Sequence, residues 1–442
     1  MGQYELDCLS GIDLKKNGLF ETVQAEIEKN RKGDFSVRVT DANGKPMACK
    51  KVRITQTKHA FKFGSTAFLA DVIKEDAARE KYESLFAKLF NQGVLAFYWR
   101  DDEPTRGHLR FDKGSPYIYR RPPADEALEF CKRVGCEPKG HNMLWQNEDI
   151  GLPTWFPSDK EDALHAILER IEILAKRYAD QIPVWDVTNE CTVAPGLAKM
   201  PLNYDTHAWL AATKWFPHNH LILNDYNAYF GNYYREMSAV YLQAQKLMAQ
   251  GARVDGIGIQ YHLFRKEEDL PRVAKNGTMI NAAYMRSMLD CYAQLGTALH
   301  ISEITVPSYG YDPAKLQMQA DMVENLYRVW FAHPSVSSIV WWNLADGYAF
   351  VNPKQNEDYY CGGLLCHDFS PKPAYERLEQ LICREWHTET TAETDADGML
   401  RFRGFYGDYE LTLDAANAQA CTNLQIPKEE TKTWTLMSGT GA

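Results

Sequence analysis

The sequence predicts an α/β protein: a closed barrel of eight alternating strand and helix units, with a small β-sandwich beside it made from the two ends of the chain. Three observations predict it. Eight short apolar runs fall between residues 62 and 386, with longer amphipathic stretches between them, which is the repeat of a parallel sheet buried on both faces. Eight such units fit closure into a barrel better than an open sheet. On both sides of this region the pattern changes to alternating polar and apolar residues with turn residues between, as in antiparallel strands.

Taken in order, residues 1–61 read as a segment contributing strands to the sandwich. Residues 35–40 alternate, Asp41-Ala42-Asn43-Gly44-Lys45-Pro46 makes a turn, and 51–56 continues the strand. The barrel occupies 62–386. Its strands are expected at 62–68, 93–99, 138–145, 184–189, 221–225, 256–261, 298–303 and 338–343, and helical periodicity marks 162–178, 232–249 and 316–331. Residues 387–442 return to sandwich strands: Thr394-Asp395-Ala396-Asp397-Gly398 turns into 399–402, followed by 408–413 and a last strand at 432–437. Both flanks read as all-β, joined because the termini of a barrel can lie close in space.

With 442 residues, 45% hydrophobic and 24% charged, the chain can bury one large core or two smaller ones, and nothing in its composition points to disorder. A net charge of −10 with Lys and Arg scattered argues against a nucleic-acid partner. No apolar run is long enough to span a bilayer, so no membrane partner is expected. The ten cysteines show no CxxC or disulfide spacing, which fits free thiols in a reducing compartment. The N-terminal residues have no basic-then-apolar stretch; the expectation is a cytoplasmic chain if residue 1 is native, and a secreted one if a signal peptide has been removed. The 11 Trp and 24 Tyr suit stacking on sugar rings, although most belong to the core.

The chemistry is carried by Trp185-Asp186-Val187-Thr188-Asn189-Glu190 and His300-Ile301-Ser302-Glu303-Ile304-Thr305. Each places a glutamate where a buried strand ends, and in a barrel the C-terminal strand ends form the site. Either glutamate alone reads as a surface residue in a loop. The pair, with Asn189 beside one of them, points to glycosidic bond cleavage, which needs a protonated acid for the leaving oxygen and an ionised carboxylate for the oxocarbenium-like centre. His141, Trp145, Asn224, Asp225, Gln260, His262, Trp342 and Asp346 fall at the same ends. A single histidine there reads as a satisfied core residue, and Trp145 reads equally well as core.

The segments Lys139-Gly140-His141-Asn142-Met143-Leu144-Trp145, the two glutamate motifs, Asn224-Asp225-Tyr226-Asn227 and Asp255-Gly256-Ile257-Gly258-Ile259-Gln260-Tyr261-His262 resemble, in order and spacing, the family 10 glycoside hydrolases typified by endo-β-1,4-xylanases. Val39 to Pro46, Gln56 to Ser65 and Gly404 to Tyr409 look like the plant-type branch of that family. The resemblance implies a retaining β-glycoside hydrolase with Glu190 as acid/base, Glu303 as nucleophile and His262 orienting the nucleophile. It also implies Asn189 on the sugar 2-hydroxyl, His141 and Trp342 lining the same subsite, and Gln260 positioning the acid/base; Trp145, Asn224 and Tyr98 complete the expected substrate contacts. The expected partner is a β-linked oligo- or polysaccharide, with no metal or organic cofactor.

Two departures stand out. Alignment on Trp99 and Glu103-Pro104 puts Val94, Leu95 and Tyr98 where family members carry a Glu-Asn pair and a Lys that bind the second glycone sugar, and Arg100, Asp101 and Asp102 are the nearest replacements. Gln146 stands where xylanases often have His. The alternatives are therefore a glycosidase of the same fold acting on a different or short β-glycoside, and a non-catalytic carbohydrate-binding protein, which would have no need of both glutamates.

Overall fold

The computed structural model describes residues 2–41, 43–193, 196–415, 418–426 and 433–437, with Tyr233 and the residues from 414 onward as backbone alone. Eight strands form the barrel: β1 (Lys62–Thr66), β2 (Gln92–Ala96), β3 (Glu137–Leu144), β4 (Val184–Asn189), β5 (His220–Asp225), β6 (Gly256–His262), β7 (Ala298–Thr305) and β8 (Val336–Trp341). They pair in parallel in chain order, and β8 returns to β1 to close the ring. Closure explains the apolar runs, because one face of each strand fills the interior and the other meets the helices. β2 stops short of its expected end because Trp99–Asp102 turns into a single helical turn. Gly140 on β3 is required by packing: a Cβ there would lie 2.3 Å from the Trp185 ring of β4.

Helix ends follow the local sequence. At Lys160–Tyr178 the Asp159 side chain accepts from the N–H groups of Glu161 and Asp162, while Lys176 and Arg177 occupy the last turn, satisfying the free donors at one end and the dipole at the other. Pro313–Ala332 begins in the same way, with Asp312 as cap and Pro313 in the first turn. The helix expected over 232–249 is broken. Asn232–Met237 is a 3-10 stretch in which Arg235 has φ 53°, and the α-helix restarts as Ala239–Ala249. Asn232 Nδ2 donates to Ser238 Oγ at 3.3 Å across the break, local polar bonding that competes with helix continuation.

The N-terminal flank corrects the all-β reading. Gln3–Leu9 and Phe20–Arg31 are helices, and Cys8, Leu9, Ile12, Leu14, Val23 and Ile27 join the barrel's own core. Only then do sandwich strands begin. Lys32–Thr40 lies between Met399–Phe405, antiparallel, and Thr433–Met437, parallel; Lys51–His59 lies between Glu389–Glu393 and Gly407–Ala415, with Ala418–Ile426 outermost. Residues 51–56 thus do not continue the strand at 35–40 but cross to the facing sheet. Glu389–Glu393 gave no signal because its side chains are mostly exposed and polar. Phe35, Val37, Val39, Val52, Ile54 and Leu411 are among the residues that close the sandwich core. Ala42, Lys432 and 438–442, which the sequence reading used, lie outside the described residues.

Aromatic rings join sandwich to barrel. Phe405 of the sandwich lies 6.2 Å from Phe331, which stacks on Trp386 at 4.2 Å, and the Arg31 guanidinium lies 4.6 Å from the Phe61 ring while donating to the carbonyls of His333 and Val336. No helix among the described residues is long and apolar enough to cross a membrane.

Candidate active site

A cavity of about 540 Å³ opens at the C-terminal end of the barrel, and Glu190 and Glu303 both line it. Glu190 is the first residue past β4. Its φ is 54°, a left-handed conformation that is costly for a residue with a side chain and persists only where the surroundings over-determine it. Here they do. Glu190 N–H donates to the Asn224 carbonyl at 2.8 Å, and Gln146 Nε2 donates to the Glu190 carbonyl at 2.7 Å and to that of Val193 at 2.9 Å. Gln146 is fully buried, so its amide acts as a fixed bracket under the turn.

The Glu190 carboxyl accepts from Gln260 Nε2 at 3.1 Å, and the same nitrogen lies 3.2 Å from Asn189 Oδ1. Burial, then the charges of Glu303 and Asp225, push this carboxyl up to about 8 against the hydrogen bonds from Gln260 and Asn189. It holds its proton at neutral pH.

Glu303, within β7, is met by hydrogen-bond donors. Asn224 Nδ2 donates to its Oε1 at 2.8 Å, and His262 Nε2 lies 3.0 Å from its Oε2. Asn224 is oriented by Ser302, whose hydroxyl donates to the amide oxygen at 2.5 Å, leaving the NH2 to face Asn189 and Glu303. An ionised carboxylate only accepts, so His262 Nε2 donates to it, and Nδ1 lies 2.9 Å from the Thr305 hydroxyl. Phe264 stacks on the ring at 4.6 Å and fixes its plane.

His141 stands on the other side of Glu303, with Nε2 4.0 Å from Oε1. Its Nδ1 is 2.8 Å from Asp186 Oδ2, and Lys139 Nζ is 3.0 Å from Asp186 Oδ1. Burial opposes ionisation of Asp186, but Lys139 and His141 outweigh it and hold the carboxyl below its usual range. Trp342 turns its ring edge-on to both His141 and His262, at 5.5 and 5.8 Å.

Most of the expected residues meet in this one cavity: His141, Trp145, Asn189, Gln260, His262, Trp342 and Tyr98 line it with the two glutamates. Asn224 does not. It is completely buried beneath the floor, where it ties Asn189 to Glu303. Asp225 accepts from Thr192 and Asn227 under the loop that follows β4, and Asp346 pairs with Lys372 at 3.1 Å away from the cavity. Among the described residues no cluster of His, Cys, Asp and Glu is arranged to hold a metal ion.

The glycone side differs from expectation in a specific way. Tyr98 lines the cavity; Val94 packs with Phe68, Tyr98 and Trp342 just below it; Leu95 belongs to the main hydrophobic core. Strand alternation sends Leu95 outward, so it faces no sugar. The nearest polar replacements also point elsewhere. Arg100 donates to the carbonyls of Glu148 and Leu152, and Asp102 pairs with Arg170 at 2.6 Å. Asp101 reaches Arg121 at 3.0 Å. Arg121 itself lines the cavity, with Arg120, Gln355 and Glu357. Sequence reasoning missed these residues; the only signal was an Arg-Arg pair between Tyr119 and Pro122-Pro123 in a segment without periodicity.

Comparison with known proteins gives three findings. The family model described as Glycosyl hydrolase family 10 matches residues 54–381. Among curated proteins, the chain is 26% identical over 409 residues to the anti-sigma-I factor RsgI6 of Acetivibrio thermocellus, covering 88% of this chain and 45% of that protein. It is 25% identical over 436 residues to endo-1,4-beta-xylanase 2 of Arabidopsis thaliana, covering 95% of this chain and 37% of that one. The chain therefore spans less than half the length of either relative. Among solved structures, xylanase 10B from Thermotoga petrophila in complex with xylobiose superposes with a TM-score of 0.58 at 23% identity, over 74% of this chain and 95% of that one. This last likeness speaks for the shared barrel.

Proposed function

The chain belongs to glycosyl hydrolase family 10, and from that premise we propose that it is a retaining β-glycoside hydrolase of the xylanase type, opening β-1,4-xylosidic or related β-glycosidic bonds by double displacement. One observation carries this reading: a single cavity holds one glutamate kept protonated at neutral pH and a second one met by two hydrogen-bond donors. That is the division of labour glycoside cleavage requires.

In the first step Glu303 attacks the anomeric carbon while Glu190 gives its proton to the departing glycosidic oxygen. A glycosyl ester on Glu303 results. Glu190, now ionised, takes a proton from water, which attacks the anomeric carbon and releases Glu303. Asn189, beside the acid, is assigned to the sugar 2-hydroxyl, where a hydrogen bond strengthens as charge develops; its amide oxygen is already fixed by Asn224 and Gln260. His262 holds Glu303 in line, and His141 and Trp342 wall the reacting sugar. We assign the chemistry to the barrel and a bracing role to the sandwich, since its aromatics pack inward.

The choice of xylan-type bonds rests on relatives named as endo-1,4-beta-xylanases. The apolar packing of Val94 and Tyr98 favours a second reading within the same chemistry, a short or different β-glycoside. Time-resolved NMR on aryl β-xylosides and xylobiose to xylohexaose tests both. The expected results are a β-configured first product and little gain in kcat/KM as neutral xylose units are added on the non-reducing side. An α-configured first product overturns the mechanism, and a steep rise with length overturns the short-substrate reading.

A further inference from the structure

Two arginines stand where the expected sugar-binding triad is missing, and neither is placed as an ordinary surface cation would be. Arg121 has its guanidinium 3.8 Å from the Tyr98 ring centroid, with Phe68 at 5.6 Å and Phe350 at 6.0 Å. Its Nε donates to Asp101 and its Nη1 to the Arg120 carbonyl at 3.0 Å. Its Nη2 has no hydrogen-bond partner among the described residues. Arg120 is 3% exposed and no carboxylate among the described residues lies within ion-pair distance of it. Its nearest counter-charge, Glu357, is reached only through Asn343, which accepts from Arg120 at 2.7 Å and donates to Glu357 at 2.8 Å. Arg120 Nε is buried without a partner.

Such an arrangement is costly for an enzyme that reads only neutral hydroxyls. Desolvating a guanidinium carries a penalty that hydroxyl contacts repay poorly, whereas a carboxylate forms charge-assisted bonds about twice as strong as neutral ones. Arginine held flat on aromatic rings is also pre-organised, so little rotamer freedom is lost when an anion docks. Asp101, the carboxylate on Arg121, is not itself a lining residue, and the carboxylate that does share this rim, Glu357, is already held by Asn343 at 2.8 Å and Gln355 at 3.0 Å. Arg120 also has a left-handed φ of 59°, a conformation maintained by tertiary contacts, and the two guanidiniums lie 5.4 and 5.6 Å from the Phe68 ring.

We propose that the glycone end of the cavity recognises a carboxylate-bearing sugar, a hexuronosyl unit, through Arg121, with Arg120 supplying the supporting positive field. This deepens the glycosidase reading and rests on it for the orientation of the saccharide. Its test needs no turnover. Calorimetry on the whole chain would compare sulfur-linked, non-hydrolysable glucuronosyl-xylose with thio-xylobiose. The expected result is at least tenfold tighter binding of the acidic ligand at low salt, weakening as salt rises. Arg121→Gln should bring the ratio of the two affinities close to one, and Arg121→Lys should leave an intermediate ratio, since it keeps the charge and loses the planar fork. Equal affinities in the unaltered protein overturn the proposal, as does a ratio that Arg121→Gln leaves unchanged. Tighter binding of an O-sulfated xylobiose than of the glucuronosyl ligand overturns the carboxylate assignment. A chain that discriminates the ligands but hydrolyses no aryl glycoside would overturn the proposed function and leave this inference standing.

Discussion

The ends of β4 and β7 carry the same side chain in opposite surroundings. Glu190 sits past its strand in a left-handed turn bracketed by Gln146, and burial keeps its carboxyl protonated. Glu303 sits inside its strand and receives Asn224 and His262. Identity of residue type decides little here; burial and the neighbouring charges of Glu303 and Asp225, which outweigh two hydrogen bonds, keep the proton on Glu190.

The sharpest way to break the contrast is to remove each carboxyl in turn. Glu303→Ala should cost on the order of 10^4-fold or more in kcat on every substrate, because no covalent intermediate can form. Glu190→Ala should cost about 10^2- to 10^4-fold on poor leaving groups but less than about tenfold on dinitrophenyl glycosides, and azide should restore turnover as a glycosyl azide. Steady-state kinetics with a leaving-group series checks this; equal losses across the series would make the two glutamates equivalent.

A smaller effect should come from the bracket. Gln146→Ala removes the donor to two carbonyls without touching substrate, and a slackened turn should lower kcat about tenfold while KM moves little. Gln146→Met, which cannot donate, should behave in the same way, and Gln146→His should recover part of the rate.

The smallest effect lies in pH. The proposed mechanism uses the acid form of Glu190, so kcat/KM should fall as pH rises through about 8. Stability follows the same sign. The folded value stands above that of a free glutamate, about 4.3, so the native state keeps a proton that the unfolded chain has released. The associated stability is complete below that pH and is lost as pH rises through about 8. Thermal melting of Glu190→Gln should show a flatter decline over this window; a decline as steep as that of the unaltered protein would place the cause elsewhere.

The barrel and its reacting end were legible in the sequence because both follow from local patterns. Apolar runs that stop abruptly mark strand ends, and most of the residues at those stops meet in the cavity, Asn224, Asp225 and Asp346 excepted. Leu95 could have been read better, since strand parity separates it from Val94 and Tyr98. The N-terminal helices were hidden by their shortness and by charged residues between the buried positions. Arg120 and Arg121 were illegible for a deeper reason. They lie in an irregular loop whose course depends on partners far along the chain, such as Asn343 and Phe350, and no local period encodes that.

The sandwich unites two stretches of chain made at very different moments. Arg403 bonds to Asp34 across a separation of 369 positions, in neighbouring strands. At a synthesis rate of roughly 5–20 residues per second, the strand Lys32–Thr40 waits tens of seconds for the partners that cover it. During that interval Phe35, Val37 and Val39 have no sandwich core to enter. The two helices ahead of that strand pack on the barrel helices Leu270–Lys275 and Pro313–Ala332, so their own docking surface is also made late, and the strand is anchored only shortly before its C-terminal mates arrive.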